Sequence, residues 1–206
     1  MQASQHPVRQ GQLGRTFTEV ARRAQIVAAA IETIADIGYG QASFAQIARR
    51  AGLSSTGLIS YHFAGKDDLM AQVAEETYLA IGQYMAARMT GCSSASKSLE
   101  TYIRASVEFV AGHRRQMKAL LEIFMNGGIR YDAGTELVVL SPVEEILRRG
   151  QGAGEFRDFD ARVLAAVIQR AIDGLPFLLE THADIDLSAY ADELSTTFAL
   201  ATRRSS

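Results

Sequence analysis

Apolar residues recur at helical spacing along most of the chain, and the breaks between repeats mark out about nine helices. Val20, Ala24, Val27, Ile31 and Ile34 stand at alternate gaps of four and three, the period of one helix face. Thr16 with Glu19 forms a capping box ahead of them, so a first helix is predicted from Thr16 to near Gly38. Two short patterns joined by a glycine follow. Ser43 with Gln46 has the arrangement of a second box, and Ile47, Ala48 and Ala51 share a face. Gly52 suits the left-handed conformation that ends a helix, with Leu53 plugging the corner. Ser54 or Ser55, with Ser55 preferred, then caps a helix whose buried side is Leu58, Ile59 and Phe63.

The later pattern is helical throughout. Lys66-Asp67-Asp68 opens a long fourth helix, its acids suiting the positive end of the dipole. Leu69, Val73, Tyr78 or Leu79, Ile81 and Met85 form the apolar side of that helix. A fifth helix covers 96–112 with Leu99, Ile103, Val107 and Val110 inward, and a sixth covers 114–125. Ser141-Pro142-x-Glu144 reads as the start of a seventh helix ending at Gly150; alternatively Pro142 kinks a helix that began earlier. Asp158 or Asp160 caps an eighth that ends near Thr181, with a kink at Gly174-x-Pro176. Asp186 or Ser188 caps a ninth reaching about Arg203. With no strand pattern and no repeat of fixed period, the fold class is all-α.

Composition narrows this picture. The 206 residues, 48% of them hydrophobic, suffice for one long or two small domains. The apolar runs fall well short of the roughly 20 residues a membrane helix needs, so no membrane association is expected. Residues 1–15 lack the apolar segment of a secretory signal and read as a flexible basic arm. Cys92 stands alone, which fits a reducing cytoplasm. The four histidines have no metal-ligand spacing, and neither a metal nor a cofactor is expected. The net charge of −2 hides an asymmetry: residues 1–66 hold seven Lys/Arg against three acids, the remainder fourteen against twenty. A basic end on an acidic body focuses a favourable field where phosphates would lie.

The chemistry concentrates in one stretch. Ala42-Ser43-Phe44, Ile47-Ala48-x-x-Ala51-Gly52-Leu53-Ser54, and Gly57-Leu58-Ile59-x-Tyr61-His62-Phe63-x-x-Lys66-Asp67-x-Leu69 resemble the DNA-binding region of the TetR family of bacterial transcriptional regulators. The likeness runs from about Arg23 to Leu69, with many fixed spacings agreeing at once, which a bare helix-turn-helix match does not provide. One departure stands out. The distance from Gly52 to Phe63 is one residue longer than the usual family spacing, and the extra residue is assigned to the Ser54-Ser55 turn. Ser60 then occupies a position where the family often carries a phosphate-contacting tyrosine, a role that passes to Tyr61 or Thr56.

The resemblance implies three parts: the arm at 1–15, a three-helix DNA-binding domain at 16–65, and a helical effector-binding and dimerisation domain at 66–206. It also implies a homodimer whose third helices enter successive major grooves of operator DNA. Thr56, Gly57, Ser60 and Tyr61 are the candidates for base edges; Arg23, Ser43, Ser54, Ser55, His62 and Lys66 complete the DNA-facing set. Arg9 and Arg15 are placed to reach a minor groove, whereas Arg49 and Arg50 read as a solvated face.

For an unidentified, largely apolar small-molecule effector, the candidate pocket is Tyr102, Phe109, His113, Met117, Leu121, Phe124, Met125, Arg170 and Phe177. A plain Met/Leu/Phe core is the competing reading of most of these. The eighth helix is apolar round most of its circumference, so the dimer seam is assigned to Val167, Ile168, Ala171, Ile172, Leu175, Leu178 and Leu179 with Tyr190, Leu194, Phe198 and Leu200. An enzyme is not expected: no phosphate loop or nucleophile elbow appears, and the acid pairs Glu75-Glu76 and Glu144-Glu145 point to different helix faces. A repressor is the leading expectation, against an activator on the same scaffold or an effector-independent DNA binder.

Overall fold

The computed structural model describes residues 9–204, with side chains from residue 18 onward. Its helices are α1 (Arg9–Ile37), α2 (Phe44–Arg50), α3 (Gly57–His62), α4 (Lys66–Met89), α5 (Ala95–Gly112), α6 (Arg114–Met125), α7 (Ala133–Gly152), α8 (Ala161–Asp173), α9 (Leu175–Thr181) and α10 (Leu187–Thr202). α8 and α9 meet at Gly174, and Pro176 has no N–H to offer the carbonyl of Ile172, so the helix breaks where a kink was expected. Taken as one broken helix, the pair brings the number to the nine expected. Among the described residues the β-type pairing is one isolated bridge, Phe156 to Arg203.

Local chemistry places most boundaries. Ser94 accepts from the Lys97 amide to start α5, Asp160 from Val163 to start α8, and Asp186 from Ser188 and Ala189 to start α10. α7 departs from the leading expectation. It begins at Ala133, capped by Asp132, and carries Pro142 in its interior. α1 departs too, starting at Arg9 and leaving the Thr16–Glu19 box inside the helix. Gln10, Gln12, Leu13 and Arg15 favour helix, and continued backbone bonding overrides a local cap. The expected arm is therefore helical from Arg9; residues 1–8, and the side chains of Arg9 and Arg15, lie outside the described ones. Val20 and Ala24 are exposed rather than inward, because the first described turns of α1 project beyond the elements that cover Ile26, Val27, Ala30 and Ile34.

Three cores organise the packing. The first joins Ile26, Val27 and Ile34 of α1, Ile47 of α2, Ile59 of α3, Phe63, and Leu69, Met70 and Val73 of α4 to Ala119 and Ile123 of α6. The second gathers α5, α7, α8 and α10 round Ile103, Leu147, Ile168 and Phe198. The third packs Val107 and Val110 on Leu175, Leu179 and Ala191. Gly150 is a packing requirement: a Cβ there would lie 2.2 Å from the Phe156 ring.

Candidate nucleic-acid interface

α2 and α3 form the corner that the sequence pattern predicts. The Ser43 hydroxyl accepts from the Gln46 amide at 3.3 Å, but the Gln46 side chain receives the Arg49 guanidinium, so the reciprocal half of the box is not made. Gly52 takes φ +64°, and the Leu53 amide reaches back to the Ala48 carbonyl at 2.9 Å, closing the turn. Gln25 of α1 donates to the Ala51 carbonyl at 2.6 Å and fixes this corner against the first helix.

Within α3 the buried foot is narrower than expected. Ile59 and Phe63 are fully buried, one helical turn apart, whereas Leu58 is 38% exposed. A six-residue helix has fewer than two turns, so only an i, i+4 pair can share its inner face. Thr56, not Ser55, is the cap residue, and it makes no side-chain capping bond. Ser54, Ser55, Thr56, Gly57 and Ser60 are all exposed, and Tyr61 is 75% exposed. Gly57 needs no left-handed backbone, and a Cβ on it would meet only the Ser55 hydroxyl, at 3.4 Å. Internal packing therefore gives no reason for a glycine there.

Cations fix this unit from behind. Arg23 donates to the His62 carbonyl at 2.5 Å and to Gln72 at 2.8 Å, with its guanidinium 4.4 Å from the centre of the Phe63 ring. It joins α1, α3 and α4, and its donors point into the protein. His62 is half-buried and meets Tyr61 edge-to-face. The Lys66 ammonium donates to the Tyr39 carbonyl at 2.8 Å and has no bond to Asp68, which instead caps the Ala64 amide. Burial lowers the Lys66 pKa, with Asp67 opposing. Arg50, expected to be solvated, pairs with Asp36 at 2.5 Å, and Arg115 of α6 reaches both Asp36 and Glu32.

In the body the nine expected pocket residues separate. Phe109 and His113 stack at 4.0 Å beside Tyr84, apart from the rest. Met125 and Phe177 are exposed, while Met117 and Leu121 are half-buried. Tyr102, Phe124 and Arg170 belong to a different, polar cluster. Tyr102 donates to Gln169 at 2.9 Å, Gln169 to Asp173 at 2.8 Å, and Arg170 to Asp173 at 2.7 Å and to the Tyr131 hydroxyl at 2.6 Å. Phe124 meets Tyr131 edge-on at 6.1 Å. Burial pushes the Tyr78 and Tyr102 phenols up to about 12, and the Asp173 charge adds to both shifts. Burial also raises the Asp173 pKa, against the opposing effects of Gln169 and Arg170.

Tyr78, Tyr131, Gln169 and Asp173 were not in the expected set. The 3–4 spacing of Gln169, Arg170 and Asp173 on one helix was a usable signal; Tyr131, in a loop, gave none. A surface groove of about 530 Å³ lies elsewhere, between α5, α10 and the turn at Glu155-Phe156, and none of the nine expected residues lines it.

Most of the expected dimer residues lie in this chain's own core, whereas Val167 and Leu200 are exposed. Ile168, Ile172, Leu175, Leu179 and Phe198 are buried within one copy; Tyr190 and Leu194 are half-buried, with the Tyr190 hydroxyl on the Ala171 carbonyl at 3.0 Å. α5, α7 and α10 already pack against α8 and its continuation α9, which is why it reads as apolar on so many faces. Exposed apolar side chains in this part include Leu137 and Val138 on α7, Val163 and Val167 on α8, Phe177 on α9 and Leu200 on α10. The Arg162–Glu136 pair at 3.5 Å joins α7 and α8.

A family model described as bacterial regulatory proteins, tetR family, matches residues 26–73. The HTH-type transcriptional regulator BetI of Cronobacter sakazakii is 31% identical over 175 residues, 78% of this chain and 84% of that protein. The match to BetI 1 of Chromohalobacter salexigens is shorter: 37% identity over 87 residues, so that the chain spans 41% of that relative's length. A bacterial regulatory protein in the tetR family from Rhodococcus RHA1 has TM-score 0.78 at 20% identity, over 90% of this chain and 98% of that one. A putative transcriptional regulator from Saccharomonospora viridis, in complex with choline, has TM-score 0.75 at 20% identity, over 90% and 100%. At these identities the two structures bear on the fold alone.

Proposed function

Because this chain belongs to the TetR family of bacterial regulatory proteins, we propose that it is a repressor that binds a near-palindromic operator as a homodimer and is released by a small-molecule effector. The observation that carries this is α3: a surface of Thr56, Gly57, Ser60 and Tyr61 held outward on a foot of Ile59 and Phe63. Small and hydroxylated side chains let a helix backbone lie close to the duplex and offer donors and acceptors to base edges. Ser43, Ser54, Ser55 and His62 flank that surface and are suited to phosphates. Lys66 has three N–H donors, of which the Tyr39 carbonyl takes one. Arg23 acts as the brace that sets the angle of α3, not as a DNA contact.

The remaining parts follow from the same reading. The second copy docks on the exposed Leu137, Val138, Val163 and Val167, an apolar patch in which α7 and α8 lie side by side. The effector is bound in the body; a structural neighbour, the Saccharomonospora protein, is itself known in complex with choline. Arg115 on Asp36 and Glu32, and Glu122 on the Tyr39 amide, link α6 to the reader, so a shift of α6 changes the separation of the two α3 helices. The site of action is the cytoplasm, where the operator lies. The test is a gel-shift titration of the chain's own upstream DNA beside random DNA. Wild type should prefer the former and Gly57→Glu should bind neither; equal affinity for both would refute operator recognition.

A further inference from the structure

The groove between α5 and α10 is closed at one end by the turn that follows α7. The two helices run antiparallel. Arg104 of α5 pairs with Asp192 near the start of α10 at 2.5 Å, and the start of α5 lies beside the end of α10. Glu155 in the turn accepts from the Ala95 and Ser96 amides at 3.0 and 2.9 Å, and Phe156 forms its backbone bridge with Arg203. The Arg157 amide donates to the Thr202 carbonyl at 3.0 Å, so the turn is tied to both helices. Leu99, Phe156 and Ala199 supply the apolar lining.

Two polar groups in this frame are left over. Ser195 lines the groove at 8% exposure, and its hydroxyl is the one buried side-chain polar atom without a hydrogen bond among the described residues. A buried hydroxyl ordinarily has a partner, so this one points to an atom supplied from outside the chain. Arg203 also lines the groove, and its guanidinium meets no acceptor among the described residues. The acids are already occupied. Glu100 accepts from Lys97 and Arg104, each at 3.0 Å, and those two bonds hold its carboxyl below the usual range against some desolvation. The Ala95 and Ser96 amides do the same for Glu155. Lys97 has three N–H donors, of which Glu100 takes one. The groove therefore offers donors in excess of acceptors.

We propose that this groove binds a small carboxylate with a neutral oxygen at its far end, the acid group on Arg203 and the neutral oxygen on Ser195. Such a site goes beyond the regulator reading and does not depend on it. The planar guanidinium matches a carboxylate with two parallel bonds, and Lys97 adds a second positive charge to the same groove. A cation is the opposite case: both acids are held, and it would face Arg203 and Lys97. Ser195 and Arg203 stand eight positions apart, about 12 Å along the helix axis, so with the arginine side chain reaching inward a chain of about six carbons joins the two groups. Its methylenes lie on Leu99, Phe156 and Ala199.

Titration calorimetry of the full chain with sodium 6-hydroxyhexanoate, against sodium chloride of equal ionic strength, tests this. Wild type should bind it saturably. Hexanoate, which lacks the far oxygen, and 1,6-hexanediol, which lacks the charge, should both bind more weakly. Arg203→Gln should weaken binding by about tenfold or more, and Ser195→Ala by about threefold to tenfold. In thermal melts without ligand, Ser195→Ala should melt no lower than wild type, because its hydroxyl has no internal bond to lose. Absence of saturable uptake by wild type would overturn the proposal. So would undiminished binding by either variant, or hexanoate bound as tightly as 6-hydroxyhexanoate. A lowered melting point of Ser195→Ala would also overturn it, by showing that the hydroxyl is bonded within the chain. Uptake that survives both substitutions but is lost in Arg170→Ala would place the probe on the far side of α8 and overturn it as well.

Discussion

The Lys66 ammonium lies 3.9 Å from the centre of the Tyr39 ring while it donates to that residue's own carbonyl. The Tyr39 amide donates to the Glu122 carboxylate at 3.1 Å, so this one residue is gripped by α4 on one side and α6 on the other. Gly128 makes room for the ring: a Cβ there would lie 2.7 Å from it. Gly128→Ala should therefore force the ring off Lys66 and cost about 1–3 kcal/mol, as overpacking does. Urea denaturation measures the cost, and unchanged stability would mean the ring shifts freely.

Ile59 and Tyr61 are two residues apart and should behave oppositely. Ile59→Ala removes a fully buried foot and should cost about 2–5 kcal/mol. Tyr61→Ala should change stability by less than about 0.5 kcal/mol yet weaken operator binding. Thermal melts beside gel shifts separate the two effects.

Gly57→Ala should raise stability by about 0.5–1 kcal/mol, because glycine disfavours helix and the added methyl meets only the Ser55 hydroxyl. Operator affinity should fall, since the methyl stands where the duplex approaches. A variant both more stable and equally tight on DNA would show that α3 does not dock by this end.

The Arg115 hydrogen bond, helped by Arg50, holds the Asp36 carboxyl below its usual pKa of 3.8, against some desolvation. A depressed folded-state pKa means that the stabilisation is complete above 3.8 and fades as pH falls through the lower folded value. The melting-temperature gap between wild type and Asp36→Asn should thus be constant from about pH 5 to 8 and close below about pH 4. A gap unchanged in acid would exclude Asp36 ionisation as its source.

What was legible in the sequence was local. Asp160, Asp186 and Gly52 act within a few residues of where they stand, and each does what its chemistry suggests. The exposed set on α3 was readable for the same reason, whereas Leu58 was misplaced because a helix so short has one inner turn. Long-range partners were not legible. Periodicity marks Ile168 and Phe198 as apolar-facing but cannot tell a neighbour in the same chain from a second copy. Arg23 and Arg50 likewise look like free charge until Gln72 and Asp36, distant along the chain, are brought beside them.

Ala119 and Ile123 complete the hydrophobic floor beneath Ile47 and Phe63, although more than fifty residues of chain lie between the two pairs. A fragment cut after the third helix would leave an empty socket in its base. Anyone grafting this DNA-reading segment onto a foreign body must carry the stretch around 114–128 with it, so the exchangeable module is discontinuous along the polypeptide.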